Sequence, residues 1–434
     1  MKNFVKFLTV KSGNCMTIIK VSKYFVILLI GQIISIVIGL IFIRTLTGYL
    51  SPKSFGEFML VINIIPWLLA VTIEPFLQAI MKFFSENREK RSFLKNIYAL
   101  KNIVLTITFF IILTIGSMYL YFYREENIFL SILFGVGLSV LFSAEIIKNF
   151  WVSIFNIEEN YTKISIMGTI DLLLKTLFSI LFLLIYAKSF ISVFFGYAFG
   201  SFLFLISICF YIRKNYNFLL YNDYKKEKNS IKFMKIIKFA LPLIPASFFF
   251  WANSIADRYL VAFFLGVEKA GIYIAIYSIA SRPFLLLSRI FEMIFRPIIY
   301  KKVEKDNTIN FSRYFVLIIL LVIFDIIIYL FHHELASIFL GKKFRKFSYL
   351  MIWIAIGYNS FVLVRVFSLF LYALHRTKEI FYIEIIGFFV MLVSFYILVK
   401  KMDILGASIA NIVYFSFQLF LLLFILVKIR KKGG

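Results

Sequence analysis

The sequence predicts an all-α integral membrane protein of about twelve transmembrane helices, arranged as two parallel six-helix lobes around a central cavity. Three observations predict it: an extreme apolar composition, a series of long apolar runs, and a repeat that relates the two halves of the chain. Of 434 residues, 62% are hydrophobic, and phenylalanine alone supplies 56. Soluble domains sit near 45–50% apolar, so this excess does not fit inside a water-facing shell. A crossing helix needs roughly 20 apolar residues at ~1.5 Å rise to span ~30 Å of hydrocarbon.

The apolar runs cover approximately 24–43, 57–80, 103–123, 128–150, 164–187, 190–212, 236–257, 270–295, 314–331, 347–374, 380–399 and 404–427. They are continuous rather than alternating, which selects helices over barrel strands. The first 23 residues carry five lysines and no acid. No small-residue cleavage motif follows the first run, so it is expected to be a retained span rather than a removed signal. Pro66, Pro75, Pro242, Pro245 and Pro283 fall within runs and are expected to kink them. Lysine and arginine concentrate, by more than two to one, on the termini and the even-to-odd connections. That bias places both termini in the cytoplasm. The basic stretch Lys342-Lys343-Phe344-Arg345-Lys346 is an exception on the outer side, read as an interfacial anchor.

The longest polar connection, 213–235, lies at the middle of the chain and divides it into lobes 1–212 and 236–434, joined by a cytoplasmic linker. An offset of 215 residues supports the division. It carries Leu50 through Gly56 onto Leu265 through Gly271, Thr162-Lys163 onto Thr377-Lys378, and Ser201-Phe202 onto Ser416-Phe417. Three matches at one offset, each at the same point of its half, indicate a repeat. Six spans per half give both halves the same orientation, so the repeat is parallel.

Charges inside spans cost roughly 2.5–3.5 kcal/mol each at mid-depth, so they are expected to pair or to line a wet cavity. Arg282, Arg289 and Arg296 recur every seven residues in the eighth run and share a face. Glu292 is within reach of Arg289 and Arg296 but not of Arg282, which is expected to be a cation facing the cavity. Arg365 has no acid within four residues. Asp171 and Lys175 stand at i,i+4 and are able to neutralise each other, while Glu145 and Lys148 read as a solvated rim pair. Arg44 and Arg258 close the outer ends of the first and seventh runs, where long side chains snorkel. Asp325, with no local partner, and Glu74 are candidate ion-coupling acids; Glu384 is a third buried acid. The candidate substrate-binding set is therefore Arg282, Arg289, Arg365, Lys175, Arg258 and Arg44. A wall richer in cations than anions favours an anionic ligand, and a lipid-linked pyrophosphate suits the arginine fork.

The chain offers little to other chemistries. Cys15 and Cys209 have neither metal nor redox spacing, and His332, His333 and His375 read as loop residues at span ends. No metal and no cofactor is expected. No outer connection exceeds about 16 residues, and no nucleophile–base or paired-carboxylate arrangement is visible, which disfavours an enzyme. The net charge of +26 is not read as nucleic-acid binding.

One stretch is specific enough to compare. Asp257-Arg258-Tyr259-Leu260, Phe264-Leu265-Gly266, Gly271, Tyr273 and Tyr277-Ser278-Ile279-Ala280 follow one another in order. This resembles the corresponding stretch of Wzx-type polysaccharide and O-antigen flippases, within the multidrug/oligosaccharidyl-lipid/polysaccharide exporter (MOP) superfamily. Phe55-Gly56-Glu57-Phe58, Arg376-Thr377-Lys378 and Gly406-Ala407-Ser408-Ile409-Ala410 are similar to shorter family motifs. Glu268-Lys269 departs from the small residues expected there. The resemblance implies two lobes, alternating access and an undecaprenyl-pyrophosphate-linked oligosaccharide as substrate, in the bacterial cytoplasmic membrane. It also implies membrane lipids and other polysaccharide-assembly proteins as neighbours, with the chain itself a monomer. A multidrug cation exporter of the same superfamily is the alternative.

Overall fold

The computed structural model of the protein describes residues 15–86, 90–216, 233–306, 315–374 and 376–432. The middle of the expected linker, 217–232, and His375 lie outside the described residues. Within the described residues all regular structure is helical. The helices are α1 Cys15–Tyr49, α2 Pro52–Thr72, α3 Glu74–Glu86, α4 Lys90–Arg124, α5 Ile128–Ile157, α6 Tyr161–Ile185, α7 Phe190–Asn215 and α8 Phe233–Ala240. They continue with α9 Leu243–Leu265, α10 Val267–Ala280, α11 Arg282–Asp306, α12 Phe315–Phe339, α13 Lys342–Arg345, α14 Leu350–Ala373 and α15 Thr377–Lys432.

Among the described residues nine helices are long and apolar enough to cross a membrane, or up to ten when the bent pair α10–α11 counts as one span. Two features separate this from the expected twelve. Residues Thr377–Ile429 count once although they carry two apolar runs; the backbone breaks between those runs at Asp403, where φ is 56°. Helix α9 is not among the nine, and it carries Asn253, Asp257 and Arg258. Large apolar side chains point outward, including Phe263 at 82% and Phe129 at 77% exposure. In water such surfaces would aggregate; facing lipid they are solvated.

The prolines act as breaks more often than as kinks. The helix stops at Ile73, two residues before Pro75. It stops again at Leu241–Pro242, before α9, and at Ser281, before Pro283 in the first turn of α11. Proline lacks an amide hydrogen and clashes with the preceding turn, yet it fits the first turn of a new helix. Pro66 lies inside a continuous helix, α2, and Pro297, which was not among the expected kinks, inside α11. Helices α10 and α11 meet at 45° across their break.

Packing groups the chain into two compact units. The first comprises Met1–Gly39, Ile80–Phe178 and Tyr197–Ile231; the second comprises Leu40–Ala79, Ser179–Gly196 and Lys232–Gly434. In the first unit α4 packs along α5. Gly116 faces Gly135 so closely that a side chain on either would overlap its neighbour, and Ser139 Oγ donates to the Phe109 carbonyl at 3.0 Å. Across the seam Tyr119 meets Phe134 and Tyr98 meets Phe150; Phe134, Phe142, Phe150 and Trp151 of α5 have almost no exposure.

In the second unit α2 crosses α10 at Gly56 and Gly271. A Cβ on Gly56 would strike the Val267 carbonyl oxygen, and a Cβ on Gly271 would strike that of Pro52. Both glycines and both carbonyls are related by the 215-residue offset: 52 maps to 267 and 56 to 271. The contact is therefore self-complementary, and only glycine permits so close an approach. Around this crossing, α9 packs on α2, α10 and α15, while α14 packs on α11, α12 and α15.

Candidate functional site: a polar seam in the second unit

Helix α9 opens the site. Asn253 and Asp257 stand at i,i+4, so they share a face, and they are 4% and 2% exposed. Asn253 Nδ2 donates to the Glu384 carboxylate and to its backbone carbonyl, the latter at 2.9 Å. Gln418 Nε2 adds a donor to the same carboxylate at 3.3 Å, and the missing side chain at Gly387 gives Gln418 its room. Tyr414 donates to the Asn253 carbonyl at 3.1 Å. One turn further along α9, Asp257 accepts from the Tyr273 hydroxyl at 2.8 Å and from the Arg258 backbone amide at 2.9 Å. Asn411 donates to the same Tyr273 hydroxyl. Asn411, Tyr414 and Gln418 thus form a stripe at i, i+3 and i+7 along one face of α15.

A second strand of the network runs beside it. The Arg258 guanidinium lies 4.9 Å from the centre of the Tyr277 ring, a cation–π contact. Its Nε is buried without a hydrogen-bond partner. Tyr358 donates to the Tyr277 hydroxyl at 2.6 Å. On α14, Arg365 donates to Glu292 through Nε at 3.0 Å and lies 5.1 Å from the Phe250 ring centre. Glu292 also accepts from Ser288 at 3.1 Å and from Arg296 at 3.4 Å. A cavity of about 20 Å³ is lined by Phe250, Arg365, Ser368, Tyr372 and Glu384 among others, space for about one water.

The sequence-predicted residues fall as follows. Arg365 was expected without an acid and has one: Glu292, distant in sequence, reaches it from α11. Arg282 was expected as a bare cation; it opens α11 at the bend, and its Nε donates to the Ser278 carbonyl at 2.9 Å. Arg289 is exposed on the same helix. Arg44 donates to the Leu340 carbonyl, and Arg258 sits against Tyr277, so each has a contact within the protein rather than only an interfacial position. Glu74 accepts from the Trp251 indole at 3.1 Å. Asp325, expected without a local partner, accepts from Asn359. His332 and His333 are not in a loop: they lie within α12, and both approach the Ser348 hydroxyl, at 3.0 and 3.3 Å.

Lys175 belongs to the first unit. The sequence predicts a local pair with Asp171 and a separate rim pair of Glu145 with Lys148; both contacts form, but not separately. Instead the four make one ring of alternating charge. Lys175 contacts Glu145 at 2.5 Å and Asp171 at 2.7 Å; Lys148 contacts Glu145 at 2.7 Å and Asp171 at 2.6 Å. Lys175 is 2% exposed and also lies 5.5 Å from the Tyr197 ring centre. Two acids and two lysines balance, which is how four charges tolerate burial.

Sequence reasoning missed Asn253, Asn411, Tyr414 and Gln418, and it singled out Asp257 and Tyr273 only as motif positions, without a role. The signal was present as polar residues at helical spacing within apolar runs, but each is uncharged or has a charged neighbour that drew attention instead.

The described residues form a helical bundle with a polar seam inside its second unit. Solved structures share that fold. One titled "Lipid II flippase MurJ, inward closed conformation" matches with a TM-score of 0.67 at 18% identity, covering 94% of this chain and 89% of that one. An inward-facing multidrug-resistance MATE transporter matches with a TM-score of 0.68 at 13% identity, over 93% and 96%. A MOP-superfamily transporter from Pyrococcus furiosus, described as having a binding pocket of reversed polarity, matches with a TM-score of 0.63 at 11% identity, over 95% and 97%. No curated protein sequence matches the chain. Residues 21–303 match the family described as "Polysaccharide biosynthesis protein", and the chain belongs to that family.

Proposed function

We propose that the protein is a flippase that moves an undecaprenyl-pyrophosphate-linked oligosaccharide from the inner to the outer leaflet of the bacterial cytoplasmic membrane, for surface polysaccharides such as O-antigen or capsule. Membership of the polysaccharide biosynthesis family carries the reading. The intramembrane arginines support it. Arg258, Arg282, Arg289 and Arg365 all belong to the second unit, and Glu292 is the acid paired with Arg365. An arginine fork binds phosphate oxygens bidentately. In this mechanism the sugar and pyrophosphate occupy a wet cavity between two six-helix lobes, 1–212 and 236–434, while the polyprenyl tail stays in lipid. Rocking of the lobes exposes the cavity to each side in turn. Asp325 and Glu74 are the acids available for ion coupling.

Outward movement of negative charge runs with an inside-negative potential, at ~2.3 kcal/mol per charge per 100 mV. Transport into inverted vesicles should therefore fall when the potential is collapsed; unchanged flux would remove this driving force. The decisive experiment is complementation of a flippase-deficient strain. Rescue by the wild type and loss of rescue by Arg282→Ala, at equal expression, supports the assignment. Full rescue by the variant removes Arg282 from the site.

The buried acids Asp257 and Glu384 favour a second reading, a cation exporter of the same fold. That reading expects resistance to cationic drugs on overexpression and no rescue of the flippase-deficient strain.

A further inference from the structure

Asp325 lies in the middle of α12, and Asn359 in the first half of α14. The amide Nδ2 of Asn359 donates to Asp325 Oδ2. The remaining oxygen of each side chain, Asp325 Oδ1 and Asn359 Oδ1, is buried and has no hydrogen-bond partner. Two acceptors left over on two side chains already joined by one hydrogen bond is a specific deficit. One hydrogen atom, bonded to Asp325 Oδ1 and directed at Asn359 Oδ1, satisfies both at once. The result is the cyclic pair of a carboxylic acid with a carboxamide, each group donating once and accepting once.

Among the described residues no cation pairs with the carboxyl group. On α10, Tyr273 is bonded to Asp257, Tyr277 to Tyr358, and Lys269 pairs with Asp403; Glu268 is exposed at the start of that helix. On α14, Arg365 faces Glu292. On α11, which reaches α12 through Phe284 and Phe324, Arg282 donates to Ser278. On α13, Arg345 donates to the Leu340 carbonyl at 3.0 Å, and Lys342 and Lys343 are exposed. On α12 itself Tyr329 and Glu334 are exposed, and His332 and His333 face Ser348. The flanking Ile323, Ile326 and Ile327 are turned outward, each more than 40% exposed. A bare carboxylate here would stand at membrane depth among isoleucines with one amide donor. A neutral acid has no such cost.

We infer that Asp325 is a proton-binding site, its carboxyl group neutral and closed into a cyclic acid–amide pair with Asn359 that ties α12 to α14. The proton is the ligand, and no metal ion is required to complete the oxygen set. Loss of the proton removes one of the two hydrogen bonds and leaves a charge, so the tie between the two helices weakens when the site empties. The assignment rests on the membrane-spanning fold and not on the identity of the transported substrate.

Infrared difference spectroscopy of the full chain in liposomes tests it without any transport measurement. The spectrum of the wild type minus that of Asp325→Asn at neutral pH should contain a protonated-carboxyl C=O band that shifts on transfer to D₂O. The band should move in Asn359→Ala, where the amide partner is gone, and should be indifferent to replacing potassium by sodium. If Asp325→Asn fails to fold, the wild-type minus Asn359→Ala spectrum still shows the moved band. A spectrum with only ionised-carboxylate bands from Asp325 at neutral pH overturns the proposal. So does a protonated band that sodium abolishes, which would make the pair a cation site.

Discussion

Several charges inside this protein are held both by neighbours on the same helix and by partners far away in sequence. Removing one member of the ring formed by Glu145, Lys148, Asp171 and Lys175 leaves an uncompensated buried charge, at a cost of about 3–5 kcal/mol. Lys175→Met should therefore lower the thermal midpoint of the detergent-solubilised protein sharply, and adding Asp171→Leu should recover most of the loss. Equal destabilisation by the single and double variants would mean that the ring is not a unit. Arg365 is more exposed, at 33%, so solvent screens its pair with Glu292. There Arg365→Ala is expected to cost about 1–2 kcal/mol. Lys101, outside the apolar part of α4, shows the opposite case. It is 4% exposed and 3.9 Å from the Tyr98 ring centre, and burial pulls its ammonium down to about 8. The unfolded chain binds this proton more tightly than the folded one, so stability should rise with pH between about 8 and 10.4. Lys101→Met should accordingly stabilise the protein at pH 7, by about 1–3 kcal/mol after loss of the cation–π contact, with the gain shrinking toward pH 10. A pH-independent difference between variant and wild type would refute this. Individual intramembrane charges were legible in the sequence because hydrocarbon makes each one conspicuous. Their pairings were legible only within a helix: Asp171–Lys175, Glu145–Lys148 and Glu292–Arg296 follow from spacing, whereas Glu292 to Arg365 and Glu145 to Lys175 cross between helices, where i,i+4 reasoning cannot follow. The uncharged members of the seam, such as Asn411 and Gln418, carried no comparable penalty and went unnoticed.

At the scale of the element, apolar runs located the helices, and the prolines located their breaks. The sequence suggested bending within spans; three of the sites instead stop one helix and start another. The reason is the steric requirement of proline, which is met in a first turn and violated in an interior. The Gly56–Gly271 crossing yields the sharpest test at this scale. A methyl group at either position meets a backbone carbonyl, which cannot rotate away, so Gly56→Ala and Gly271→Ala should each cost about 1–3 kcal/mol. Because the two sites are equivalent by the repeat, the costs should be similar. The double variant should cost less than their sum, since one displacement of α2 from α10 relieves both clashes. Strict additivity would show that the helices do not move as a pair.

For the whole molecule, composition was enough to indicate a membrane-embedded helical bundle, and the short motifs were enough to indicate the family. The number of crossings was harder to read. Apolar runs count hydrophobic stretches, whereas the chain breaks one stretch into α10 and α11 and fuses two others across Asp403. Orientation remains a prediction from the lysine and arginine bias. With both native cysteines replaced, a single cysteine at Lys343 should react with an impermeant maleimide in intact cells, and one at Lys428 only after lysis. The reverse pattern would invert the topology.

The α2–α10 crossing also bears on where such a chain comes from. A surface on which position 52 meets 271 while 56 meets 267 is what two identical subunits form about a dyad. A half-length ancestor would have needed no new surface to associate with its own copy. Fusion of two such copies would make that dimer permanent, and would free each copy to acquire charges that the other lacks.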